Sequence, residues 1–410
     1  MEGILFSAYQ KFYSALCSLE RFNKEKDFFE NIANLDNFFS EFRNITFVLQ
    51  KSVAHTEFDA IYKEKRDEYL QDCKWFIEKR NQVIKQTPFQ LVKQIDIKVY
   101  YPYKGVRILD KQFSVEDDVE LSSLLSELKM FLKEFDENEV FFSVEFSFYE
   151  KNSKEDLFTK LLGGINTMAN FLNAMEDEIK EQCKLCEELK GKISKKKIAL
   201  LPKDILFIND YIYYPKDDEF ERAGRMTMML GNDVLKQRMD LSSWGIHIFP
   251  NEKDAFKRFV AMHAIMGSVD LMNVICVVYS DNTFTMDVFA SDIKTTMYRK
   301  INEVSEQISC GEIKEIYYMA TYTVCEDTPE NMCITSKERL CKGMEDYLVF
   351  MKVDSNLNEE EYFFEGSKMG DMNYIICKIK YGCSDALKFG QVNMNPIKEA
   401  FLFYKRNLEN

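Results

Sequence analysis

Apolar residues return every three or four positions through the first 88 residues, then alternate with polar ones up to about residue 150, and resume a helical spacing from Ile165. Phe28, Ile32, Leu35, Phe39, Phe42, Ile45 and Leu49 form one stripe on a helix, which marks a core face. Phe58, Ile61, Tyr62, Tyr69, Leu70, Trp75, Phe76 and Val83 repeat the spacing, with Thr56 as an N-cap and Pro88 as the stop. Together with residues 3–22, these patterns predict three to five helices packed as a bundle over residues 1–88.

Beyond Pro88 the period falls to two. Ile95, Ile97 and Val99 alternate with Asp96 and Lys98, and Lys104-Gly105 offers a turn, so a hairpin is expected. A helix over 119–135 and a half-buried strand carrying Phe142, Val144, Phe146 and Phe148 complete a small α+β layer over 89–150.

Residues 151–200 then predict one long helix. Ile165, Met168, Leu172, Met175, Ile179, Gln182, Cys186, Leu189 and Ile193 form a heptad-like seam, which requires a partner helix from a second copy or from the bundle. Gly163-Gly164 reads as an irregular start or kink, and the lysines from Lys190 to Lys197 as complements to the helix dipole.

Residues 200–222 separate the two halves, with one or two strands followed by an exposed acidic turn at 216–222. Over 201–410, hairpin and strand patterns around the helix 291–309 predict an antiparallel sheet with helices on one side. The fold class is therefore α+β: an N-terminal helical bundle, a long heptad-patterned helix, and a C-terminal antiparallel sheet with helices.

Composition changes this picture little. The 410 residues are 46% hydrophobic with 34 Phe and 21 Tyr, enough for two or three folded domains, and seven Pro argue against long linkers. A net charge of -14 opposes a broad electrostatic hold on nucleic acid, so phosphate contacts require a local patch. With no apolar run of membrane length and no basic leader, a cytoplasmic protein without membrane contact is expected. Eleven scattered Cys suit reduced, buried thiols. Cys183 and Cys186 lack the further ligands that a structural zinc needs, and no cofactor or metal is expected.

Two Arg-Asn pairs stand in the bundle, Arg43-Asn44 and Arg80-Asn81. The order of a helix, RNITFVLQ, a Tyr-rich helix and FIEKRNQVIK resembles the N-terminal bundle of bacterial proteins similar to the HEPN superfamily, which includes RNA-cutting toxins and antiviral effectors. The resemblance covers roughly the first 90 residues. It implies an Arg, a polar residue and a His four to six positions after the Arg. Arg80 and Asn81 occupy the first two places, but no His follows in the stretch through Lys85, Gln86 and Thr87, and the lysine there is a poor proton shuttle near neutral pH. RNA or nucleotide binding through Arg80, Asn81, Lys85 and Arg43 is thus the expectation, with metal-independent ribonuclease activity weak or lost and no catalytic residue assigned.

A second Arg-x4-His spacing, Arg258 to His263, carries Phe259 where a polar residue belongs and reads as a buried helix. His247 has no nucleophile beside it, and Glu326, Asp327 and Glu330 read as a solvated loop. The competing functional class is a non-enzymatic homodimer or sensor that engages a partner protein.

Overall fold

A computed structural model describes residues 3–23, 28–101, 107–115, 121–135, 138–180, 182–196, 206–224, 238–266, 272–308, 311–324, 328–342, 345–365, 368–369, 372–375, 378–380 and 394–409. The turn at Lys104-Gly105, the acidic pair Glu326 and Asp327, and Lys197 lie outside them. The chain forms two compact units, residues 1–96, 112–127 and 145–208 in one, and 97–111, 128–144 and 209–410 in the other. The α+β class holds, with two larger antiparallel sheets of five and seven strands, a separate two-stranded pair at 368–375, and an N-terminal helical region.

In chain order the larger elements are α1 (Phe6–Glu20), α2 (Phe28–Val53), α3 (Phe58–Tyr69), α4 (Lys74–Lys85), β1 (Leu91–Tyr100), β2 (Arg107–Val115), α5 (Leu121–Leu132), β3 (Val140–Glu150), α6 (Leu157–Ile179) and α7 (Lys184–Ile193). They continue with β4 (Ile208–Tyr214), β5 (Glu219–Arg222), β6 (Met239–Asp240), α8 (Ala255–Met266), β7 (Met272–Tyr279), β8 (Thr283–Ala290), α9 (Lys294–Gln307) and β9 (Ile313–Val324). Last come the short α10 (Pro329–Met332) and α11 (Ser336–Cys341), β10 (Glu345–Asp354), β11 (Glu359–Glu365), β12 (Lys368–Met369), β13 (Met372–Ile375), β14 (Lys378–Lys380) and α12 (Asn395–Glu409).

In the first unit, α1 packs along α2, and the expected stripe is the buried one. Its N-terminal end departs from expectation: Ile32 is half-buried while Asn31 is buried, because the Asn31 amide donates to the Asn23 carbonyl at 2.8 Å and accepts from its N–H at 2.9 Å. That exchange closes the connection from α1 and leaves no buried polar atom of the amide unmet. Phe38, Phe39 and Phe42 of α2 meet Trp75 and Phe76 of α4, with Phe42 and Phe76 centroids 4.8 Å apart. The Asp36 carboxylate accepts from the Phe89 N–H at 3.1 Å and so fixes where the chain leaves the bundle. Burial raises the pKa of that carboxyl.

The single long helix expected over 151–200 is two helices. Asp156 caps α6 by accepting from the Thr159 N–H at 2.8 Å, and α6 ends at Lys180, whose φ of 51° is left-handed. The chain restarts with Cys183 capping α7. The apolar seam carries through both, but each half has its own partner in the same unit: α6 packs on α3, and α7 on α1. Ile165, Met168, Leu172, Met175, Cys186 and Leu189 are buried there, while Gln182 at the break is exposed. The seam thus gives no argument for a homodimer, since one chain already covers it. Gly164 lies inside α6, not at a kink, and lets the Phe76 ring approach the helix backbone.

One sheet has the order β2-β1-β3-β4-β5. β3 is its middle strand and is buried on both faces, in contrast to the half-buried strand expected: Ser143 is buried and shares a hydrogen bond with the Tyr100 hydroxyl at 3.0 Å. The acidic stretch 216–222 is part turn and part strand, since β5 pairs with β4.

In the second unit, seven strands run β14-β11-β10-β9-β7-β8-β6. Alternation along β7 divides its side chains between two cores. Val274, Cys276 and Val278 join Phe256, Phe259 and Val260 of α8, whereas Ile275 and Val277 join Met297, Tyr298 and Ile301 of α9 together with Ile397 and Phe401 of α12. Helices therefore cover both faces, not one. The α9 core also contains Tyr100, Phe141, Ile212 and Tyr214, so this helix buries nearly its whole circumference, charged positions included.

Candidate ligand pocket in the helical bundle

Among the described residues, a cavity of about 540 Å³ opens within the first unit between α2, α3, α4 and α6. Its apolar wall is Phe42, Phe76, Leu70, Ile77 and Met168, and its polar wall holds Arg43, Arg66 and Lys74, one carboxylate, Asp67, and Thr46, Gln50, Tyr62 and Gln71. This volume is in the range of sites that enclose small organic ligands, and a mostly apolar lining with a few converging polar groups is their usual chemistry.

Each polar group is held by its helix. Arg43 and Thr46 stand one turn apart on α2, and the guanidinium donates to the Thr46 hydroxyl. The buried Tyr62 hydroxyl of α3 donates to the Thr46 carbonyl at 3.0 Å, which ties α3 to α2 across the pocket floor. Burial raises the Tyr62 pKa, and the positive charges of Arg66 and Arg43 oppose the rise. The phenol therefore stays neutral near pH 7 and serves as a fixed polar edge. Arg66 donates to the Asp67 carboxylate at 2.6 and 2.9 Å, so part of its charge is answered. Lys74, at the first turn of α4, is exposed.

Of the four residues expected from sequence, only Arg43 lines the cavity. Asn81 and Lys85 are exposed on α4 seven and eleven positions after Lys74, hence on the same helical face beyond the pocket. Arg80 points away from that face. Its guanidinium donates to the Asn81 side-chain amide oxygen at 3.2 Å, and its Nε is buried without a hydrogen-bond partner. Arg66 and Lys74 escaped the sequence reading because they belong to two helices whose shared side appears only on packing; the signal was an Arg and a Lys flanking the apolar pair Tyr69-Leu70.

Elsewhere the alternatives lose their chemistry. Arg258 is buried and donates to the carbonyls of Leu241, Trp244, Glu252 and Lys253 at 2.9 to 3.0 Å, a clamp on the 241–253 loop. His263 Nδ1 lies 2.9 Å from the Phe259 carbonyl, and burial lowers its pKa. Lys190, Lys192 and Lys196 pair with Glu176, Glu188 and Glu20, so they form no anion-binding patch. Among the described residues no three His, Cys, Asp or Glu side chains are grouped to hold a metal, and no helix is long and apolar enough to cross a membrane. Of seven free cysteines described, Cys73, Cys183, Cys186 and Cys276 are buried, whereas Cys333 and Cys341 are exposed, contrary to the uniformly buried thiols expected. No family model, curated protein or solved structure matches this chain.

Proposed function

We propose that the helical bundle binds RNA or a nucleotide, as a HEPN-like module in which cleavage is weak or lost, with the defence- or toxin-related role that such a resemblance implies. The observation that carries this reading is the convergence of Arg43, Arg66 and Lys74 on a pocket walled by Phe42 and Phe76. Cations answer phosphate charge, and aromatic and aliphatic walls suit a base; this is how proteins without broad positive charge hold single nucleotides or strand ends. Asn81 and Lys85 extend the same face of α4 and give a longer strand a path out of the pocket. Among the described residues no imidazole lines the cavity, the phenol of Tyr62 is held neutral, and the one carboxylate in the lining, Asp67, is engaged by Arg66.

The test is the affinity of the purified chain for a labelled single-stranded oligoribonucleotide over a salt series, beside Arg43→Gln, Lys74→Gln and their combination. Each substitution is expected to weaken binding and flatten the salt slope by about one unit. Equal affinity and slope in the double variant would remove the proposal. A second reading, engagement of a partner protein, is favoured by Phe29 and Phe47, which stand exposed on α2. It predicts RNA-independent retention of that partner, lost on Phe29→Ser.

A further inference from the structure

We propose that Cys183 and Cys186 form a dithiol that exchanges with small-molecule disulfides, a redox site in the first unit separate from the pocket. The sequence Cys-Lys-Leu-Cys is placed so that Cys183 is the N-cap of α7 and Cys186 lies in its first turn. Cys183 is extended, with φ of -116° and ψ of 108°, yet its sulfur lies 3.4 Å from the Cys186 backbone nitrogen, so the two residues stand close enough for a disulfide to be considered between them.

The surroundings of the Cys183 sulfur favour the reactive form. It accepts from the Cys186 N–H at 3.4 Å. The neighbouring Cys186, its thiol first and then this N–H, lowers the Cys183 pKa. A thiolate cradled by the open N–H groups of a helix end is the nucleophile that thiol exchange requires. Cys183 and Cys186 are both buried, so the order of attack, Cys183 first and Cys186 second, follows from the N–H donated to the Cys183 sulfur and not from exposure. Cys276 shows the contrast: it is buried in a strand, burial raises its pKa, and no such donors are directed at it to offset the rise.

The chemistry balances with a low-molecular-weight disulfide, RSSR, as oxidant. The Cys183 thiolate attacks one sulfur, forms the mixed disulfide Cys183–S–S–R and releases RS⁻. Cys186 yields its proton to water and attacks the Cys183 sulfur, which closes the Cys183–Cys186 bond and expels the second RS⁻. Two electrons pass to the oxidant, which leaves as two thiols after protonation. Because the cradle stabilises the reduced thiolate, the couple is the readily reduced kind that cycles, not a permanent bridge.

The test uses the full chain equilibrated at neutral pH with glutathione and glutathione disulfide at a series of ratios, then acid-quenched, alkylated and mapped by peptide mass. A Cys183–Cys186 bond that rises along a two-electron curve is expected. In Cys186→Ser, glutathione should accumulate on Cys183 for want of the resolving thiol; in Cys183→Ser, Cys186 should stay free. Far-ultraviolet circular dichroism would check that both variants retain their helices. Full alkylation of Cys183 at every ratio in the wild-type chain, or adducts only on the exposed Cys333 and Cys341, would overturn the proposal.

Discussion

Phe76 lays its ring against Gly164 so closely that a Cβ on that glycine would overlap Cζ of the ring. The ring cannot move aside freely, because Phe38, Phe42 and Trp75 hold it on other sides. A helical Gly→Ala change alone gains about 1 kcal/mol, but overpacking a fixed core costs about 1–3 kcal/mol. Gly164→Ala is expected to lower the urea midpoint. Gly163→Ala has nothing within 4 Å of its new methyl and should raise it, by up to about 1 kcal/mol. Opposite shifts at neighbouring positions would establish the close approach of α4 and α6 that shapes the pocket wall.

Asp210 and Arg299 are 6% and 5% exposed and meet through three hydrogen bonds of 3.0, 3.1 and 3.3 Å, with Glu303 taking a further guanidinium N–H at 2.8 Å. Removing one partner strands a buried charge, at a cost of about 3–5 kcal/mol. Asp210→Leu and Arg299→Met should each destabilise strongly. The double variant should be more stable than either single one, since no buried charge is then stranded; Glu303, about a third exposed, loses Arg299 but keeps Lys300 at 4.0 Å and water. Chemical denaturation of the four proteins completes the cycle, and a double variant worse than both would show that the pair stabilises on balance.

Arg258 and His263 make the same sequence spacing as a catalytic pair, yet they should separate by stability. Arg258 satisfies four carbonyls through a planar fork that lysine cannot reproduce. Both Arg258→Ala and Arg258→Lys are expected to cost about 3 kcal/mol or more, read by thermal denaturation, because several buried carbonyls lose their donors. His263→Phe should cost under about 1.5 kcal/mol, as the ring packs against Trp244 and Phe259 and keeps its volume.

What the sequence made legible was local periodicity. The stripe from Leu35 to Leu49, the hairpin of β7 and β8 with Asn282 at a φ of 62°, and the buried helix around Phe259 all follow from spacing within one element. The continuous helix over 151–200 failed because apolar spacing survives a break. Lys180 takes a left-handed conformation, but it and Gln182 fall in the gap without disturbing the pattern on either side. β3 looked half-buried because Ser143 reads as solvated, whereas its hydroxyl is met by Tyr100 inside the sheet. The pocket was least legible: Arg43 could be named from its Asn neighbour, but Arg66 and Lys74 acquire meaning only when three helices meet.

Acid should weaken the second unit through His263. Burial holds its pKa below the ordinary value of about 6.5, so the native state resists the proton that the unfolded chain accepts. The unfolded state then binds more protons as pH falls past about 6.5, and stability declines with it. The contribution of the neutral ring is full above that value, and the loss ends only where the native ring also protonates. His263→Phe lacks a titrating group there. Its melting temperature should therefore fall less than that of the wild-type chain between about pH 7.5 and 5.5, a window above most carboxylate titrations. Parallel melting curves for the two proteins across that window would mean that the Phe259 carbonyl, which favours the protonated ring, offsets the burial.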